Sequence, residues 1–106
     1  MGATATLRVL LRMEVEPGRE EEFENVWFDH ATAIGARPEN LGQCLLTSAS
    51  EGSTYYVITD WVDEPSFREF ERSESQQEYL KQVVPMRVRG SMTLLMPRYQ
   101  LGGSDG

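Results

Sequence analysis

The stretch Leu41–Val62, LGQCLLTSASEGSTYYVITDWV, decides how the rest of the chain is read. Its two ends are rich in apolar, β-branched and aromatic residues, and its middle is Ser, Gly and Glu, the composition of a chain reversal. LGQCLLTSAS is therefore expected to form one strand, EGS the turn, and TYYVITDWV the returning strand of a hairpin. Alternation along these strands sends Leu45, Tyr55, Val57 and Trp61 to one face and Cys44, Leu46, Tyr56, Ile58 and Val62 to the other. Both faces are too apolar to stand in water, so both need a cover.

The flanking segments supply one of these covers. Upstream, TLRVLLRMEV sets Leu7, Val9, Leu11, Met13 and Val15 against Arg8, Leu10, Arg12 and Glu14, the period of a strand, and EPG ends it. From Gly18 to Ala36, Phe23, Val26, Trp27, His30, Ala31 and Ile34 recur at helical spacing. Glu20, Glu21 and Glu22 crowd the first turn, where the helix dipole favours acids, and ARPEN stops the helix. Downstream, a helical region is predicted from Pro65 to about Val84, interrupted at Ser73–Ser75 and closed by Pro85. GSMTLLMPRYQL is the last predicted strand.

The order strand, helix, strand, strand, helix, strand is the split βαβ pattern of an α+β ferredoxin-like fold, with helices on one face of an antiparallel sheet. The other apolar face is then expected to meet a second copy, giving a homodimer packed sheet to sheet. A chain of 106 residues is expected to form one domain, 1–106, with its core at about 6–100 and a flexible tail at 101–106.

Charge and composition narrow the partners. A net charge of −7 opposes binding to nucleic acid and to anionic membrane surfaces. With no run of about 18 apolar residues and no secretory pattern, a cytoplasmic protein with no membrane partner is expected. Cys44 is the only cysteine, so no intramolecular disulfide is possible, and no Cys/His cluster marks a metal site. Neither a Gly-rich phosphate loop nor a Ser/His/Asp order stands out, and no cofactor is expected.

VLLRMEVEPGREEEFENVW, YYVITDW and SFREFERSESQQEYL resemble the antibiotic biosynthesis monooxygenase family of dimeric α/β-barrel proteins, over roughly Leu7 to Tyr99. The resemblance implies a small cofactor-independent monooxygenase acting with O₂ on an aromatic or polyketide-type substrate in antibiotic or pigment biosynthesis. Other members degrade haem. In the quinone-forming enzymes the strand tryptophan is accompanied by an asparagine four residues earlier, a tyrosine six residues later and a histidine on the preceding strand. Trp61 matches here, while Val57, Phe67 and Thr47 occupy the other positions. Where haem-degrading members carry an asparagine, a tryptophan and a histidine, this chain has Leu11, Phe70 and Leu80, which argues against haem chemistry.

The catalytic candidates are accordingly His30, the one side chain here with an ordinary pKa near neutrality, and Trp61 as a stacking wall or hydrogen-bond donor. Trp27, Tyr55, Thr47, Val57, Phe67, Phe70 and Leu11 form the expected substrate-binding set. Each also has a plainer reading: inward aromatics are commonly core, and an inward histidine is commonly satisfied by a structural partner. Arg12, Arg87 and Arg89 can attract an anionic substrate, although arginines on strands usually pair with acids. Two alternatives stay open: a polyketide cyclase or isomerase-type helper, and a non-catalytic ligand-binding dimer.

Overall fold

A computed structural model describes residues 5–101. The chain runs β1 (Leu7–Val15), α1 (Glu20–Ile34), β2 (Asn40–Thr47), β3 (Thr54–Trp61), α2 (Glu64–Glu71), α3 (Glu74–Val83) and β4 (Arg87–Leu95), with a 3₁₀ turn at Val84–Met86 before the last strand. The four strands form one sheet in the order β2-β3-β1-β4, and every neighbouring pair is antiparallel. This is the expected ferredoxin-like α+β arrangement.

The register confirms the two faces of the hairpin. Leu11 lies opposite Val57, which lies opposite Leu45, while Leu10, Ile58 and Cys44 are paired one step along. Under the helices, Leu7, Val9, Met13, Val15, Tyr55, Val57 and Trp61 are all buried. On the far side, Leu10, Tyr56 and Ile58 are only partly buried and Cys44, Leu46 and Leu95 are exposed, a face that nothing in the described chain covers.

Element ends depart from expectation for local reasons. Gly18 has a φ of +96°, the left-handed region, so α1 starts two residues later than the apolar spacing suggests. The second helical region does break at Ser73, whose hydroxyl accepts the Gln76 N–H at 3.3 Å, just as Asp63 caps α2 by accepting from Ser66 N–H at 2.9 Å. β4 begins at Arg87 rather than Gly90 and ends at Leu95, because its partner β1 spans only Leu7–Val15. The expected flexible tail lies outside the described residues from position 102 onward.

The pairing of β1 with β4 is irregular at one point. Glu14 pairs with Arg89, yet Val15 pairs with Arg87, so Val88 is the extra residue of a bulge between the two strands. Simple alternation would turn Val88 inward with Gly90, Met92 and Leu94. The bulge instead leaves Val88 exposed and turns Arg87 to the helix side of the sheet.

The core is divided. One buried group joins Met13, Phe23, Tyr55, Tyr79, Val83 and Met86, and a second joins Leu7, Ile34, Trp61, Phe67 and Phe70. Leu11 touches both and is itself only partly buried. Protein interiors normally close such seams at near-crystalline density. Here the seam is open.

Candidate active site

A cavity of about 320 Å³ occupies the seam, between the inner face of the sheet and all three helices. That volume falls at the lower end of small-ligand sites, about 300–1,000 Å³. Its depth is apolar, with Val9, Leu11 and Met13 from β1, Val57 from β3, and Phe67 and Phe70 from α2. The exposed residues of the wall, Arg87, Gly90, Ser91 and Met92, all belong to β4, so the mouth lies along that strand.

His30 stands in this wall, half-buried on the inner stripe of α1. Its ring lies parallel to that of Tyr79, with centroids 3.9 Å apart and planes 8° from parallel. Nε2 meets Gln76 Oε1 at 2.8 Å; a carbonyl oxygen only accepts, so Nε2 carries the proton and Nδ1 keeps a free lone pair. Burial holds the imidazole pKa below its ordinary value of 6.5, and the Gln76 hydrogen bond opposes that only in part. Near neutral pH His30 is therefore an uncharged imidazole with one nitrogen able to take a proton.

Three more polar wall residues, Gln43, Thr59 and Glu71, have defined partners. Gln43 donates to the Ala31 carbonyl, Thr59 Oγ1 accepts the Trp61 indole N–H at 2.9 Å, and Glu71 pairs with Arg68 at 2.9 Å. Among the described residues, no three His, Cys, Asp or Glu side chains gather into a metal-holding group.

Of the residues expected at the site, His30, Trp27, Leu11, Val57, Phe67 and Phe70 share the cavity wall. Trp61, Tyr55 and Thr47 do not. Trp61 is 1% exposed and sits behind the wall, its ring 4.9 Å from Phe70 and 5.6 Å from Phe67, so the indole supports those rings rather than bordering the cavity. Tyr55 packs on Phe23 at 4.9 Å and donates its hydroxyl to Glu24, and burial together with that carboxylate raises its pKa. Thr47 is exposed at the end of β2.

Sequence reasoning missed Gln43, Thr59, Gln76 and Tyr79, and it named Arg87 only among three strand arginines able to attract an anion, without placing it in this wall. Thr59 and Gln43 share the strand parity of Val57 and Leu45, a signal that was present. Gln76 and Tyr79 share a helical face with Leu80 and Val83 at three- and four-residue spacing, also legible. The turn of Arg87 toward the cavity was hidden by the bulge.

A model of the antibiotic biosynthesis monooxygenase family matches residues 6–82. No curated protein matches the sequence. Among solved structures, SnoaB, a cofactor-independent oxygenase from Streptomyces nogalater, is similar with a TM-score of 0.83 at 20% identity, over 94% of this chain and 100% of that one. A putative antibiotic biosynthesis monooxygenase from Caulobacter crescentus has a TM-score of 0.84 at 20% identity, over 90% and 92%. A conserved protein from Methanosarcina mazei has 0.83 at 15% identity, over 89% and 94%. At such identities the likeness is one of fold.

Proposed function

Because the chain belongs to the antibiotic biosynthesis monooxygenase family, we propose that it is a small oxygenase that takes a planar aromatic or polyketide-type substrate into the seam cavity and needs no cofactor. The observation that carries this reading is the neutral His30, with Nε2 committed to Gln76 and Nδ1 free, in the wall of an apolar cavity. Nδ1 takes a phenolic or enolic proton. The electron-rich anion left behind then reduces O₂, and a ring methylene becomes a carbonyl with release of water. The protein's part is to position the ring and to stabilise the developing charge.

Incubation with an anthrone in air should produce quinone absorbance with one O₂ consumed per quinone, and neither signal without oxygen. A second reading, proton transfer guiding a cyclisation or isomerisation, is favoured by Val57 and Phe67, which put no polar group on the wall at the two positions where the family resemblance places an asparagine and a tyrosine. An isomerised or cyclised product formed equally with and without oxygen would select it.

The working form in this reading is a homodimer joined through the uncovered sheet face. Leu10, Ile58 and Cys44 form its apolar middle, flanked by the Arg8–Asp60 pair at 2.7 Å and the Arg12–Glu14 pair at 2.6 Å. Ile58→Asp should dissociate or misfold the protein, since an unpaired carboxylate is costly to bury. Light scattering that finds a monomeric parent, or a stable Ile58→Asp dimer, would rule this interface out.

A further inference from the structure

We propose that Arg87 makes the cavity selective for a planar ring that carries an anionic group, a carboxylate or an enolate, at its solvent-facing edge. This rests on the reading of the cavity as an aromatic-ligand site and specifies which ligands it prefers.

The cavity wall holds two charged residues, Glu71 and Arg87, besides the neutral His30. Glu71 is already paired with Arg68 at 2.9 Å. Arg87 has no salt-bridge partner among the described residues, although the chain carries a net charge of −7 and the neighbouring strand arginines Arg8, Arg12 and Arg89 all have one. A cation left unpaired in so acidic a chain is a local attractor for anions that the rest of the surface repels.

Two features of the backbone place it there. The bulge at Val88 rotates Arg87 from the face it would share with Arg89 to the cavity side. Gly90 then leaves room for it: a Cβ at that position would stand 3.1 Å from Arg87 Cδ and 3.5 Å from Nη1, so the arginine stem lies over the glycine at the cavity mouth. The depth of the cavity is apolar and the mouth presents a guanidinium. A flat ring with one carboxylate or ionised oxygen at its outer edge fits that division, because the planar fork of N–H donors matches two anionic oxygens.

The test compares a dihydroxyanthraquinone with the same ring bearing a carboxylate, measuring both affinities for the parent, Arg87→Gln and Arg87→Lys. The parent should prefer the carboxylate by roughly fivefold to tenfold, a size between an exposed and a buried charged contact. Arg87→Gln should lose that preference while binding the uncharged ring unchanged, Arg87→Lys should keep part of it, and added salt should weaken it in the parent. Equal affinities of the parent for the two rings, or a preference that survives in Arg87→Gln, would overturn the role of Arg87 while leaving the aromatic site standing. If neither ring binds the parent, the aromatic reading itself fails and this inference falls with it.

Discussion

Replacing His30 with alanine is expected to lower turnover by about a hundredfold or more, the usual worth of a positioned proton acceptor, while a planar aromatic ligand still binds. The retained binding is essential to the prediction. The apolar depth formed by Leu11, Val57, Phe67 and Phe70 is untouched by the substitution, so affinity loss alongside lost turnover would point to a structural role through Tyr79 and Gln76 instead. The pH dependence gives a second readout. With the imidazole pKa held below 6.5 by burial, kcat/KM should rise through that lowered value and be level above it. Stability follows the same group. Between the folded pKa and 6.5 the unfolded chain binds a proton that the native chain does not, so the contribution is fully present above 6.5 and is lost as pH falls through the folded value. His30→Ala should flatten that part of the acid limb.

Trp61→Ala is expected to cost about 3–5 kcal/mol of stability, the range for truncating a buried large aromatic, which is a large share of the roughly 5–15 kcal/mol that holds a domain folded. The indole is 1% exposed and packs on Phe67 and Phe70, and its N–H is satisfied by Thr59 at 2.9 Å. Trp61→Phe separates packing from ligand contact. Because the indole does not reach the cavity, this variant should melt at lower temperature yet bind an aromatic ligand as the parent does. Weakened affinity with an unchanged melting temperature would return Trp61 to the site.

The fold was legible because its signals are periodic and local. The hairpin at 41–62 shows its strands by alternation and its turn by Ser, Gly and Glu, and the break between α2 and α3 shows in Ser73, a residue that caps by accepting a backbone N–H. Part of the candidate site was legible for the same reason: His30 and Trp27 lie on the inner stripe of α1, and Leu11 and Val57 on the inner parity of their strands. Inward parity does not say how deep a residue ends. Trp61 and Val57 share a face, yet α2 closes directly over Trp61 and leaves Val57 bordering open space. Arg87 shows a different limit. Its orientation depends on a one-residue slip between β1 and β4, which no alternation count can supply.

The chain has one histidine, and this makes the central claim directly measurable. In protein carrying no histidine tag, the imidazole C–H protons of His30 give one set of proton magnetic resonance lines. Titrated with acid, and again with a dihydroxyanthraquinone present, these lines should report a pKa below 6.5 in the free protein and shift saturably as the ring occupies the cavity beside the imidazole. A pKa at the ordinary value together with lines that ignore saturating ligand would contradict a neutral His30 acting on a ligand in this cavity.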